Sequence, residues 1–333
     1  MTSTTSGTVG LTTVDVTTAI EHAFRRCGKM PSTVSSEQQL AAKESLFFLL
    51  TDLVNDGVSL WCIQKVCIPL STGKAVYILP PGTSDVLSST YKTQTALSGS
   101  TITGAGYQGL SFTVATSPTN VQVAFSTASQ PALVVESSQD NTTWVQVAAF
   151  DKQQSTLPAG SAIAEDIDNS IPALYWRVRD TSGTLPSVSS LVFSSNPSEV
   201  PMTPFNRDDY FSLPNKTSQA SKSLQYWFDK QLSPQMWLWP VPSTADQMVV
   251  EYHRQIQDVG SFSNLLEVPQ RWYEYVIYAL AEKVGLELPT GELPPGRLEY
   301  LGAKAEYHSQ RASDGESDGA PIKLQPSIRG YTR

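Results

Sequence analysis

The sequence predicts an α+β protein: a helical core with a small β-sheet, interrupted by an inserted β-sandwich domain and followed by an extended C-terminal tail. Apolar residues recur at helical spacing near both ends of the chain. Between about 97 and 197 the composition turns to Ser, Thr, Ala, Val and Gly, with short strand-like runs between turn signals. After Ser313 the chain is polar with scattered apolar residues, too sparse to fold alone. The expected order is a flexible arm (1–13), the leading segment of the core (14–95), the inserted sandwich (96–198), the returning segment of the core (199–313) and the tail (314–333).

The first helix is expected from about Asp15 to Arg26. Val16, Ala19, Ile20, Ala23, Phe24 and Cys27 form one apolar stripe, and Gly28 suits a left-handed C-terminal residue. A second helix is expected from Ser36, where Ser36 to Gln39 has capping-box spacing, to Gly57. From Leu46 to Val54 it is apolar almost all round, so it needs cover on more than one side. Runs at 60–70 and 74–80 read as paired strands about a Ser71–Thr72–Gly73 turn.

"LSFTVA", "NVQVAF", "ALVVESS", "TWVQVAAF", "LYWRVRD" and "SLVFSS" then recur at sandwich-like spacing, with Trp144 and Trp176 suited to an inner face. "SLQYWFDKQL" and "QMWLWPVP" flank Ser233–Pro234 and read as a hairpin, with 246–256 as a third strand. A helix opening at Pro269 and ending at Gly285, and another starting near Pro294–Pro295, close the core.

Composition narrows the function. The 333 residues are 40% hydrophobic and 16% charged, with a net charge of −8. Such a chain is poorly suited to gripping nucleic acid by its phosphates, which needs a basic face; it suits a wall along which DNA slides without sticking. Cys27, Cys62 and Cys67 are an odd count without a CxxC pair, which reads as buried thiols in a reducing compartment. No run approaches the roughly 18 apolar residues of a membrane span, and the polar N-terminus is not a signal peptide.

No catalytic set emerges. His22, His253 and His308 stand apart, without HExxH or GxSxG. Glu165, Asp166, Asp168 and Asn169 lack the Gly and distal Glu of an EF-hand loop and read as a solvated loop, and Asp208–Asp209 is only a sequence pair. The expectation is no catalytic residue, no cofactor and no metal.

The stretch from "AIEHAFRRCGKMP" through "NDGVSLW" to "YILPPG" resembles the head-to-tail adaptor proteins of tailed, short-tailed-type bacteriophages, the tail tubular protein A type. Gly28, Asn55, Asp56, Gly57, Leu60, Trp61, Tyr77, Leu79, Pro80, Pro81 and Gly82 carry the likeness. Arg207, Tyr210, Leu213 and Lys216 fit a following "R..Y..L..K" pattern. "QYWFDKQ", "MWLWPVP" and "WYEYVIYALAEKVGLEL" also match, so the resemblance spans about 14–92 and 199–312. The middle segment departs from the smallest members.

The resemblance implies a non-enzymatic connector at the head–tail junction of a virion, made in the host cytoplasm. Copies form a ring, twelve by analogy, between the portal protein and the tail nozzle or tail tube proteins. The ring seals packaged DNA, which passes without sequence-specific contact, and no membrane is involved. It also implies a tail that reaches the portal, carrying Ile322, Lys323, Leu324, Ile328, Arg329, Tyr331 and Arg333. Tyr226, Trp227, Trp237 and Trp239 are the candidate subunit or tail interface, since buried aromatics dominate interface energetics; equally, they could fill the subunit's own core. Two other readings stay open. The "TWVQV" and "YWRVRD" runs weakly resemble discoidin-like or carbohydrate-binding sandwiches, which would make the middle segment a sugar-binding module for host attachment. The third reading is a peptidoglycan hydrolase.

Overall fold

The computed structural model describes residues 13–55, 59–128, 131–150, 157–168, 171–289 and 291–316. The arm before Thr13 and all seven expected portal-binding residues of the tail lie outside them. The chain divides into two units, one built from the residues up to Trp61 and from Ile256 onward, the other from Cys62–Gln255.

The first unit is helical. α1 (Val16–Cys27) starts where Asp15 accepts the Thr18 N–H at 2.9 Å and ends at Gly28, whose φ of 90° gives the left-handed cap. Its buried residues are the six of the expected stripe. α2 (Ser36–Asn55) starts at the expected residue, but its capping box sits one residue earlier than the spacing suggested: Ser35 Oγ accepts from the Gln38 N–H, and Gln38 Oε1 accepts from the Ser35 N–H, both at 3.2 Å. α3 (Arg207–Ser212) belongs to the second unit. α4 (Tyr273–Glu287) follows a 3-10 turn and runs through Gly285 instead of stopping there. Gly285 serves packing: a Cβ would come within 3.3 Å of Leu298 on α5 (Arg297–Asp314). α4 packs against α1, α2 and α5 and is the axis of the unit. No helix among the described residues is long and apolar enough to cross a membrane.

The second unit is built from strands. They are β1 (Ile63–Pro69), β2 (Val76–Ile78), β3 (Thr83–Ala96), β4 (Ser100–Gly104), β5 (Tyr107–Thr116), β6 (Asn120–Phe125), β7 (Leu133–Ser138), β8 (Val145–Ala149) and β9 (Ala162–Asp166). There follow β10 (Ala173–Asp180), β11 (Val188–Pro201), β12 (Thr203–Phe205), β13 (Gln219–Ala220), β14 (Gln225–Asp229), β15 (Gln235–Trp239), β16 (Val241–Pro242) and β17 (Gln247–Arg254). A closed barrel runs β1-β17-β3-β11-β6-β9; other sheets run β4-β5-β10-β7-β8, β12-β14-β15-β2 and β13-β16.

This corrects the expected fold class. The chain is mostly β, and no self-contained sandwich interrupts a helical core. β6, β9 and β11, from the supposed insert, close one barrel with β1, β3 and β17 from the supposed core. β3 and β11 pair with each other as continuous strands, β11 running through the expected boundary at 198/199. β1 and β2 were expected to pair, but β1 joins the barrel and β2 joins β15. The expected third strand, β17, likewise lies in the barrel and not beside the hairpin.

Strand alternation explains the layering. On β17, Met248, Val250 and Tyr252 face outward onto Tyr77, Tyr226, Met236 and Leu238 of the four-stranded sheet. On β6 and β9, Val121, Val123, Phe125 and Ile163 face outward onto Trp176, Val178 and Val135 of the five-stranded sheet. The barrel wall therefore supplies two apolar cores on its outside. Its small interior holds Cys67, Ala164 and Val249 beside a polar network.

Candidate functional site

The hairpin β14–β15 forms as expected, with Trp227 opposite Trp237 and Gln225 opposite Trp239. Period-two alternation then separates the four aromatics. Tyr226 points inward with Met236 and Leu238 and is buried, so this candidate interface residue belongs to the core. Trp227, Trp237 and Trp239 share the opposite face. Val76 and Ile78 of β2 and Phe205 of β12 extend that face, since they pair with Trp237, Gln235 and Trp227.

α3 lies on this face and explains the Arg207–Tyr210–Leu213–Lys216 pattern. Asn206 caps it by accepting the Asp209 N–H at 2.8 Å. Lys216 Nζ donates to the carbonyls of Phe211 and Leu213, satisfying the helix C-terminus. Tyr210 is thereby set 5.5 Å from the Trp227 ring and 5.6 Å from the Trp237 ring, with Trp227 and Trp237 5.7 Å apart. Phe211 lies 5.5 Å from Trp227. These separations suit offset or edge-to-face aromatic contact. Burial raises the Tyr210 phenol above its ordinary pKa, so it stays neutral.

The face is only partly covered. Trp227 and Tyr210 are buried and Trp237 and Trp239 half-buried, but Phe211 is 54% and Ile78 67% exposed. Trp239 donates its indole N–H to Asn215 O at 3.0 Å and stands before a cis bond to Pro240. The Trp237 indole N–H is buried without an acceptor. Sequence alternation places the tryptophans on β14 and β15, but not the contribution of Tyr210 and Phe211. Tyr210 enters only as a member of a motif, and Phe211 carries no signal of its own.

The other candidate chemistry resolves into structure. His253 Nδ1 is 3.2 Å from Ser84 Oγ, but that hydroxyl donates to the His253 carbonyl at 2.9 Å, which is no arrangement for an activated nucleophile. His308 stacks on Tyr278 at 5.3 Å. Asp208 and Asp209 occupy the first turn of α3, where negative charge favours the helix. Among the described residues no group of three or more His, Cys, Asp and Glu is placed to hold a metal ion. Cys27, Cys62 and Cys67 are buried thiols outside any disulfide, and burial raises the Cys27 thiol to about 11.

Asp166 was expected in a solvated loop. Instead it ends β9 inside the barrel, paired with Lys92, with Lys65 at 2.9 Å, and accepting from Asn120 Nδ2 at 2.8 Å. Burial raises its pKa, but the hydrogen bonds from Lys92, Asn120 and Lys65 outweigh that and hold it well below the carboxylate range. Gln94 and Gln247 both donate to Asn120 Oδ1, so the amide dipoles converge on the carboxylate.

On the five-stranded sheet, Trp176 is fully buried as expected. Trp144 is not in the core: it lies before β8 with the Arg177 guanidinium 3.8 Å above its ring. Arg177 also covers Tyr107 at 4.6 Å and, with Arg179, pairs with the buried Glu136. A cavity of about 320 Å³ opens near the β7–β8 turn, lined by Asp140, Thr143, Val145, Val147, Ile171 and neighbours.

No family model and no curated protein matches the chain. Among solved structures it is similar to one described as "CpGH89CBM32-6 produced by Clostridium perfringens", with 10% identity, 38% of this chain and 91% of that one covered, and a TM-score of 0.20. At that score the likeness bears on neither fold nor ligand.

Proposed function

We propose that the chain is a structural, non-enzymatic head-to-tail adaptor: a ring of copies, dodecameric by analogy, between the portal and tail of a phage virion. It seals packaged DNA and offers the tail its attachment platform. The observation that carries the reading is the partly covered aromatic face of β12-β14-β15-β2. Two residues of the adaptor-like pattern contribute to it: Tyr210 packs on both Trp227 and Trp237, and Lys216 caps the helix that carries it. An aromatic anchor left half in water is the composition that interface cores favour. The net charge of −8 suits a channel wall that does not retain DNA.

The test is retention on DNA-filled, portal-bearing particles that lack tails. The purified chain is expected to co-sediment with them and to protect their DNA from release. Phe211→Glu with Ile78→Glu, both at exposed positions, should cost only about 0.5–1.5 kcal/mol of stability, for the lost Phe211–Trp227 contact, and weaken retention at least about tenfold. Absence of retention by the unmodified chain would remove the reading.

A second reading, sugar recognition by the middle of the chain, is supported by the cavity beside the β7–β8 turn with its Asp140, Ser138 and Gln139 rim. Glycan-array binding by the full chain, lost in Thr143→Trp, would favour it.

A further inference from the structure

α4 is buried on nearly every side, through Val276, Ile277, Tyr278, Leu280, Ala281 and Val284. α2 and α5 both pack on it and each turns one face to solvent. With 3.6 residues per turn, the α2 face carries Glu37, Leu40, Glu44, Phe47, Phe48 and Asp52. Leu40 is 53%, Phe47 38% and Phe48 60% exposed. The two phenylalanine rings touch at 5.7 Å. Beside Phe48 a shallow cavity of about 220 Å³ is lined by Ser45, Lys283, Leu286 and Glu287. This face is apolar with acidic flanks.

The α5 face is its chemical opposite. Tyr300, Lys304, Tyr307 and Arg311 recur at four-, three- and four-residue steps along one stripe. Both tyrosines are about half exposed, at 47% and 51%. Lys304 Nζ stands 5.9 Å and 5.3 Å from their ring centres, so the stripe is a band of aromatic rings under cations. Glu299 and Glu306 project roughly a quarter-turn or more away from it.

We infer that the α2 face of one copy docks on the α5 face of the next, and that this is the contact that propagates the ring. The occupant is a second copy because each face offers what the other lacks. Apolar rings meet apolar rings, with a socket beside Phe48 for a tyrosine, and Glu37 and Glu44 meet Lys304 and Arg311, while Asp52 is held by Lys283 of its own chain at 3.5 Å. The two patches are different surfaces on different helices, so the contact is heterologous. Such contacts close into rings or continue as filaments, and they do not stop at a dimer. Charge complementarity of this kind sets register and rate of encounter and weakens with salt. The inference rests on the ring reading above but names surfaces that reading does not.

Sedimentation velocity of the full chain at low ionic strength, across concentration, tests it. The unmodified chain should form species larger than dimers that dissociate as salt rises. Glu37→Lys/Glu44→Lys should be monomeric, and Lys304→Glu/Arg311→Glu likewise, each with unchanged circular dichroism. An equimolar mixture of the two should assemble again, because swapped α2 faces then meet swapped α5 faces, and native ones meet native ones. Phe48→Asp should abolish assembly without rescue by either. A monomeric unmodified chain, or assembly that ignores all these changes, overturns the inference. If large species persist through the swaps, the ring reading survives and this contact does not. If swap and rescue succeed but particles do not retain the chain, the contact stands and the adaptor reading falls.

Discussion

Asp166 shows how one residue can hold a closed sheet together. The ladder between β1 and β9 is a single pair, Cys67 opposite Ala164, so the barrel's last seam has little backbone hydrogen bonding of its own. Asp166 bridges it, pairing β9 to Lys65 on β1 and to Lys92 on β3. Lys92 is only 2% exposed, so removing its carboxylate leaves a buried, unpaired ammonium. Asp166→Asn is expected to cost about 3–5 kcal/mol in urea unfolding. Replacing both partners, Asp166→Asn with Lys92→Met, should recover most of that, since no charge is then stranded. The pH sign follows from a depressed carboxyl. The contribution is complete above the unfolded value of about 4 and is lost as pH falls from there towards the lower folded value. The acid limb of stability should therefore flatten in Asp166→Asn; an unchanged limb would show that the pair does not bind the seam.

At the level of elements, α1, α2, the β14–β15 hairpin, α4 and α5 were legible because each is written in local periodicity: stripes at three and four, alternation at two, and Gly or Pro at the ends. Which strands pair was not legible. β1 and β2 are neighbours in sequence around Ser71–Thr72–Gly73, yet they part into different sheets, because partner choice depends on strands roughly 160 to 190 residues away. The supposed insert failed for a related reason. Its strands β6, β9 and β11 send Asn120, Gln122 and Asp166 into a barrel built jointly with β1, β3 and β17, while most of its Ser and Thr stay exposed or half-buried, so the composition carries no sign of that pairing. The aromatic face was half legible: alternation put Trp227, Trp237 and Trp239 on strands, but not Tyr210 and Phe211 above them. This makes a distinction testable. Trp237→Ala removes rings from both Trp227 and Tyr210 and is expected to cost about 2–4 kcal/mol in the fold itself, so it cannot report on assembly alone. Trp237→Phe keeps a ring and deletes the buried N–H that has no acceptor, so its cost should stay below about 1 kcal/mol. A loss in Trp237→Phe as large as in Trp237→Ala would mean that the N–H has a partner after all.

For the whole molecule, the adaptor proposal makes the last residues a separable segment. The helical unit holds the chain as far as Glu316. Its carboxylate is almost fully buried and accepts from Trp272 Nε1 at 2.9 Å and Arg271 Nε at 2.6 Å. α5 itself runs to Asp314, so the first residues of the expected tail belong to the fold. Residues 317–333 contribute Ile322, Lys323, Leu324, Ile328, Arg329, Tyr331 and Arg333, the mixture of apolar and basic anchors expected to reach the portal. Ending the chain after Glu316 keeps the Trp272–Glu316–Arg271 clasp, whereas ending it after Ser313 removes it. The longer truncation product should unfold at the midpoint of the full chain and self-associate as the full chain does, yet lose at least about tenfold in retention on portal-bearing particles. The shorter product should also lose stability, by about 1–3 kcal/mol, because the Trp272 N–H is left without its acceptor. Retention of the chain ending at Glu316 equal to that of the full chain would place portal recognition elsewhere, with the outward aromatic face as the next surface to test.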